Sequence, residues 1–341
     1  MHYKLALLGF GNVGRATAEL LLRKQTELKE NYNISFDVVG IATGSRGRAI
    51  NPDGLDLAKI LPAIQAGQSL EQFSRVASSD SLDFIKKCGA DVLFENSPVN
   101  YETGQPAIDH IRCALELGMV VTTANKGPVV HAWQELKELA KARGRQFFHE
   151  SAVMDGAPIF SLFRGALPAA QLVGFRAILN STTNLILTRM ENGESFDEAV
   201  KYAQKIGLAE TDPSGDVDGW DAAIKIAALA TVLMQIPLKP AEVERTGIRG
   251  ITAEMISAAK AEGKRYKLIC TAVRDGKTIK GRVAPELLAN TSPFYSVEGS
   301  TSIIQFQTDV LGDLTLIEAN PGPHTTAYGL LADFINAVSS K

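Results

Sequence analysis

Short apolar runs alternate with stretches whose apolar residues recur every three or four positions. That is the mark of strands buried on both faces and separated by amphipathic helices. Lys4–Leu8 is the first such run, and helical spacing follows from Arg15 to Lys24 with Ala16, Leu20 and Leu21 on one side. Phe36–Ala42, Asp91–Phe94, Met119–Thr122 and Gln146–His149 read as further strands, with helices over Pro106–Leu117 and residues 131–142. This alternation predicts an α/β fold: a Rossmann-type doubly wound parallel sheet over residues 1–150.

After Glu150 the pattern changes. Arg164–Ile178, Tyr266–Val273, Gly281–Val283 and Ser302–Gln307 read as strands around helices at 184–191 and 195–206. These predict a second, α+β domain over 151–322. Residues 323–341 follow as a segment whose apolar helix, Thr326–Val338, returns to the first domain.

The turn after the first strand is Gly9-Phe10-Gly11-Asn12-Val13-Gly14. Strand, G-x-G-x-x-G and helix in that order is the context that makes the motif a dinucleotide fingerprint and not a bare glycine turn. Gly9 suits the tight turn, Gly11 the approach of a pyrophosphate to the backbone, and Gly14 close helix–strand packing. The strand ending at Ala42 has no acid at its end for a ribose 2′-hydroxyl. It runs into Ser45, Arg46 and Arg48, which suit a 2′-phosphate or form a solvated basic loop. NADP is therefore the expected cofactor, with NAD possible. Asn96, Ser97, Asn125 and Lys126 fall at the carboxyl ends of later strands, where ligands of such sheets bind.

The segment Glu210-Thr-Asp-Pro-Ser-Gly-Asp-Val-Asp-Gly-Trp-Asp221-Ala-Ala-Ile-Lys225 carries the second candidate site. Asp221 and Lys225 stand four apart at the head of an apolar run, so one helix face presents both. A carboxylate–ammonium pair beside Glu210, Asp212, Asp216 and Asp218 can hold an amino-acid head group and move a proton. The same spacing also describes an ordinary surface ion pair.

With 35 basic and 38 acidic residues, the chain shows no basic tract for nucleic acid. It has no apolar stretch of bilayer-spanning length. The chain enters a strand at once, and its three cysteines, Cys88, Cys113 and Cys270, are far apart. A cytoplasmic protein with reduced thiols is expected, without membrane or nucleic-acid partners.

Taken together, Gly9–Gly14, Thr123-Ala-Asn-Lys126, Gly156-Ala-Pro158, Asn180-Ser-Thr-Thr-Asn184 and above all Glu210–Lys225 resemble the homoserine dehydrogenase family, in a short form without a regulatory C-terminal module. The resemblance implies nicotinamide-linked interconversion of L-homoserine and L-aspartate 4-semialdehyde, on the route to threonine and methionine, by a homodimer. It implies Lys225 as proton donor, Asp221 as substrate ligand and Glu210 as partner of the substrate amino group. Thr182 and Ser181 would line the pocket, and Lys126 would stand by nicotinamide and substrate. Gly207 and Gly322 would belong to the cofactor side. A sodium-type monovalent cation would be held by Glu150 and the backbone oxygens of Val153, Asp155 and Ala157. The chain departs from the family pattern at Ser181, usually glycine, at Met154-Asp155, usually small, and at Glu318–Gly322, where only the last glycine of a richer turn is kept.

Negative charge builds on the aldehyde oxygen as hydride arrives, and a lysine ammonium nearby both stabilises it and supplies the proton. Two other readings remain at this level. One is a non-catalytic nicotinamide-binding relative. The other is a different amino-acid-pathway oxidoreductase, such as an acylating semialdehyde dehydrogenase, which needs a nucleophilic cysteine beside a histidine base.

Overall fold

The computed structural model describes residues 1–339. In chain order the elements are β1 (His2–Leu8), α1 (Asn12–Tyr32), β2 (Ser35–Ala42), β3 (Arg48–Ile50), α2 (Leu57–Gln65), α3 (Ser81–Lys87), β4 (Val92–Glu95), α4 (Ala107–Glu116), β5 (Val120–Thr123), α5 (Lys126–His131), α6 (Trp133–Ala142) and β6 (Phe147–Phe148). They continue with β7 (Leu172–Ile178), α7 (Ser181–Glu191), α8 (Phe196–Lys205), α9 (Ser214–Val217), α10 (Trp220–Leu233), β8 (Glu244–Arg245), α11 (Ala253–Ala261), β9 (Lys264–Asp275), β10 (Thr278–Ala289), β11 (Ser302–Thr308), β12 (Gly312–Glu318) and α12 (Pro323–Ser339).

The chain divides into two compact units, one of residues 1–158 with 322 onward, the other of residues 159–321. In the first, six strands lie in the order β3-β2-β1-β4-β5-β6. All neighbours pair in parallel except the edge strand β3, which runs antiparallel to β2. The order reverses between β1 and β4, which opens a crevice at their carboxyl ends. β1 is apolar because it is central: Leu5, Ala6 and Leu7 have no exposed surface. α1 buries Ala16, Ala18, Leu20 and Leu21 and runs on to Tyr32, where Asn33 ends it in a left-handed conformation. α12 adds Leu330, Leu331 and Phe334 to this core, the Phe334 ring meeting Tyr3 and Phe94 edge-on at 5.8 and 5.9 Å. Burying a side chain of this size stabilises by roughly 1.5–3 kcal/mol.

The second unit holds the order β12-β11-β7-β9-β10-β8, antiparallel throughout except for the short β8. α7, α10 and α11 pack on its central strands. Between Ala222 and Thr231, α10 is buried at every position except Lys225.

Three expectations differ from these elements. Residues 164–171 are not strand: Leu162–Ala166 is a single wide helical turn, and Pro168 with Ala169 at φ +64° delays the strand to Leu172. The helix expected over 131–142 starts at Trp133, because Ala132 at φ −143° separates it from α5, which ends at His131. β12 lies outside the expected strands, although polar and apolar residues alternate over Asp313–Leu316; as an edge strand it leaves Asp313, Thr315 and Ile317 exposed and half-buries Leu314 and Leu316. The boundary between the units also falls at Pro158, so residues 151–158 belong to the first.

Candidate functional site

In the first unit, Gly9 leaves β1 at φ +93°, its N–H bonded to Ala42 O at 3.0 Å. A Cβ at Gly9 would lie 2.2 Å from Asn96 O, and one at Gly14 would lie 2.2 Å from Gly9 O. Neither position tolerates a side chain. A Cβ at Gly11 would meet nothing, so the turn is open on that side. Gly11 caps α1 without a side-chain bond, and no acid stands in the first turn. The free N–H groups at Asn12, Val13 and Gly14 and the positive helix end therefore face an open space suited to a pyrophosphate.

The ends of β4 and β5 come together beside this turn. Asn125 donates from Nδ2 to Ser97 O at 3.0 Å, and its Oδ1 accepts from Gly127 N at 3.0 Å, capping α5 just before Lys126. The Asn96 amide is buried and neither Oδ1 nor Nδ2 has a partner among the described residues. Such an orphan asks for a ligand or water.

The arginines after β2 are not an open fork. Arg46 donates from Nη1 to Ile64 O. Arg48 donates from Nε to Ser78 O at 3.3 Å and from Nη2 to Ser78 O at 3.2 Å and Ser79 O at 2.7 Å. Arg48 is thus spent on holding a neighbouring loop. Ser45 stays exposed at the tip.

Gly322 does not carry the strain expected of a close-approach turn: a Cβ there would meet nothing, and its φ is not left-handed. The residue that needs the left-handed angle is Asn320, at φ +53°. Gly322 instead starts α12, its carbonyl accepting from Thr326 N at 3.0 Å and from Thr325 Oγ1 at 2.8 Å. The loop proposed for a cation packs under the same helix. Glu150 N donates to Asp333 Oδ2 at 2.7 Å, and Ser151 Oγ to Thr326 O at 2.7 Å. Asp155, at φ +38°, accepts from Thr326 Oγ1 at 2.7 Å. Gly156 and Gly329 permit this contact, since a Cβ at either would lie within 2.4 Å of Thr325 O or Ser151 Oγ. Val153 and Ala157 flank Asp155 in this loop.

In the second unit, Lys225 Nζ lies 3.0 Å from Asp221 Oδ2 and donates to Leu179 O at 2.6 Å. The pair is mostly buried, 14 % and 11 % exposed at the side chains, and so is not a surface ion pair. Asn180 joins it to a second carboxylate: its Nδ2 donates to Asp216 Oδ1 at 2.6 Å and to Asp221 Oδ2 at 3.0 Å. Its Oδ1 caps α7 through Thr183 N at 2.8 Å. Burial and then the nearby Asp221 charge push the Asp216 carboxyl above its ordinary range, against hydrogen bonds from Asn180 and Thr182 and the Lys225 charge. Thr182 also donates from Oγ1 to Leu208 O at 3.3 Å, which ties the start of α7 to the turn holding Gly207, at φ +74°. Glu210, two residues on, is exposed, and Ser181 is half-buried at the first turn of α7. In the sequence Asp216 stands only as one of four acids before Asp221, and Asn180 only at the head of a motif, neither with a role of its own. An N-cap preference marks Asn180, but nothing local marks its grip on Asp216.

Burial raises the pKa of all three thiols, that of Cys270 to about 12. A thiol with a raised pKa is a weaker nucleophile, which speaks against the acylating reading.

The glycine turn, the helix behind it and the buried lysine–carboxylate cluster define a nicotinamide-dependent oxidoreductase acting on an alcohol carbon. Residues 9–150 match the NAD-binding domain model of homoserine dehydrogenase, and residues 158–335 match the homoserine dehydrogenase model itself. The chain belongs to the homoserine dehydrogenase family. It is 37 % identical over 337 residues to an NAD(+)-dependent homoserine dehydrogenase of Pseudomonas canavaninivorans, covering 98 % of this chain and 96 % of the relative. A putative homoserine dehydrogenase from Archaeoglobus fulgidus superposes with a TM-score of 0.86 at 30 % identity, over 98 % of each chain. A hyperthermophilic archaeal homoserine dehydrogenase in complex with NADPH superposes with a TM-score of 0.83 at 28 % identity, over 100 % of this chain and 99 % of that one.

Proposed function

We propose that Lys225 and Asp221 carry out the proton transfer in the interconversion of L-homoserine and L-aspartate 4-semialdehyde, within threonine and methionine biosynthesis. The observation that carries this assignment is the buried Asp221–Lys225 pair at 3.0 Å, linked through Asn180 to Asp216. The bound nicotinamide supplies hydride chemistry. The chain's own contribution is charge and position. The Lys225 ammonium stabilises the developing alkoxide and gives it a proton, or takes one in the oxidative direction. Asp221 and the Leu179 carbonyl fix the Nζ, so little reorganisation is needed. Glu210 offers an exposed carboxylate to the substrate ammonium, and Thr182 and Ser181 border the same cluster. Gly207 is the turn glycine proposed for the cofactor side, whereas Gly322 acts only as the head of α12.

Lys126 stands at the start of α5 as the residue beside the nicotinamide. Gly9, Gly11, Asn12, Val13 and Gly14 would cradle the pyrophosphate, with Asn96, Ser97 and Asn125 at the strand ends. The open face at Gly11 and the orphan Asn96 amide suit such a ligand. NADP is the proposed cofactor and NAD the alternative. Ser45 and the nitrogens of Arg46 beyond Nη1 suit a 2′-phosphate, whereas Arg48 is committed to Ser78 and Ser79. The named relatives point both ways, one to NAD(+) and one to NADPH. A monovalent cation at Glu150, Val153, Asp155 and Ala157 is proposed on the loop braced by α12. No group of three or more His, Cys, Asp or Glu in metal-binding array occurs among the described residues, so backbone oxygens would have to supply most ligands. A cytoplasmic homodimer is proposed from the family resemblance; no described helix is long and apolar enough to cross a membrane.

The test is turnover of L-homoserine by the purified protein with NADP and with NAD. Turnover in wild type that persists within a few-fold in the Lys225→Ala variant would remove Lys225 from the chemistry.

A further inference from the structure

Glu95 is the last residue of β4 and has no exposed surface. An acid so placed is rare unless its oxygens are matched by donors. Here they are. Oε1 accepts from Ser97 N at 3.1 Å and from the Ser97 hydroxyl. Oε2 accepts from Thr123 Oγ1 at 3.1 Å, and the same hydroxyl also reaches Glu95 O at 2.8 Å. His110 Nδ1 of α4 lies 3.5 Å from Oε1.

The position gives these bonds their meaning. Glu95 pairs with Leu8 of β1 on one side and with Thr123 of β5 on the other. It therefore sits where the strand order reverses. The backbone it fixes on one side is Asn96–Ser97, whose Asn96 carbonyl abuts Gly9 of the glycine turn so closely that no Cβ fits between. On the other side it holds Thr123, whose hydroxyl oxygen accepts from Asn125 N at 2.9 Å, immediately before Lys126. Asn125 then closes the ring by donating to Ser97 O.

We infer that Glu95 is the positioning residue of the cofactor site: its buried carboxylate clasps the turns after β4 and β5 and sets the backbone on which the dinucleotide and Lys126 are placed. The inference rests on the reading that the dinucleotide binds at these strand ends. Glu95 touches no reacting atom in this account and acts through Ser97 and Thr123. Glutamine at this position keeps one acceptor oxygen for Ser97, and its amide can donate to the Thr123 oxygen. Alanine keeps neither.

The experiment compares wild type, Glu95→Gln, Glu95→Ala, Thr123→Val and the Glu95→Ala/Thr123→Val double variant. Cofactor affinity is read by fluorescence titration of NADPH and NADH, together with kcat, the homoserine KM and the melting temperature. Losing hydrogen bonds to a charged group corresponds to about tenfold or more in affinity. Glu95→Ala is therefore expected to weaken the preferred cofactor about tenfold, with a fall in kcat and little change in homoserine KM. Glu95→Gln is expected to recover most of that loss. Thr123→Val, which keeps shape and introduces no cavity, is expected to act in the same direction, and the double variant to lose less than the sum of the two single losses, because the Thr123 bonds to Glu95 O and from Asn125 N do not pass through the carboxylate. The inference is overturned if Glu95→Ala or Thr123→Val binds cofactor as wild type does, if Glu95→Gln shows no rescue, or if the two losses add. Failure of wild type itself to bind either cofactor would instead overturn the reading on which the inference stands.

Discussion

Asn180 donates from one nitrogen to two carboxylates, Asp216 at 2.6 Å and Asp221 at 3.0 Å, and so fastens the acid five residues before Asp221 to the Asp221–Lys225 pair. Gly219, left-handed at φ +80°, breaks the helix between the two acids. α9 and α10 are therefore separate elements, and Asn180 bridges them.

Lys225→Ala is expected to lower turnover by about 10²–10⁴-fold, the usual worth of a positioned general acid. Cofactor affinity should stay near wild type, since the role proposed for Lys225 is on the substrate oxygen alone. Steady-state kinetics alongside cofactor titration separate the two effects.

Glu210→Gln should raise the Michaelis constant for homoserine and leave cofactor affinity unchanged. The carboxylate is exposed, so the substitution removes charge without disturbing packing. A flat Michaelis constant would withdraw the amino-group role.

Asp216→Asn should separate stability from function. The Asp216 carboxyl is raised above its ordinary range by burial and by Asp221. A raised acid contributes stability while it is protonated, and that contribution is lost as pH rises through the folded-state value. The asparagine variant should thus melt higher than wild type at neutral pH, with the difference disappearing in acid. Activity should fall. Melting curves across the acid range check the sign; a variant less stable than wild type at neutral pH would refute it.

Arg46→Ala should weaken NADP more than NAD, because only NADP carries a 2′-phosphate. Arg48→Ala should instead loosen the loop at Ser78 and Ser79 and affect both cofactors alike. Titration with each cofactor decides. Equal losses at Arg46 would end the NADP preference.

Gly9→Ala and Gly322→Ala should part company. At Gly9 the methyl would lie 2.2 Å from Asn96 O at a left-handed φ, so cofactor binding should be lost. At Gly322 the methyl enters open space. Only the small preference for glycine over alanine at a helix start is forfeited, at most about 1 kcal/mol. Near-normal activity in Gly322→Ala would agree with its place at the head of α12; a collapse would restore a direct role beside the cofactor.

Much of this was legible in the chain. The β1–turn–α1 unit is local: an apolar run, three glycines and a 3.6-residue period suffice to place Gly9, Gly11 and Gly14. Asp221 and Lys225 meet for the same reason, because four residues of helix bring them to one face. The sequence by itself therefore determined the glycine turn, the meeting of Asp221 with Lys225 and the strand–helix alternation of the first unit. It did not determine which charges are free. Arg46 and Arg48 look like an open fork until carbonyls eighteen to thirty-one residues away are folded against them. Glu95 looks like a strand-end acid until β1 and β5 enclose it, and Asp216 joins Asp221 only through Asn180, some forty residues earlier. Local spacing obeys the fixed geometry of a helix or strand. Burial and long-range hydrogen bonds depend on which elements pack together, and that is decided only when the sheets assemble.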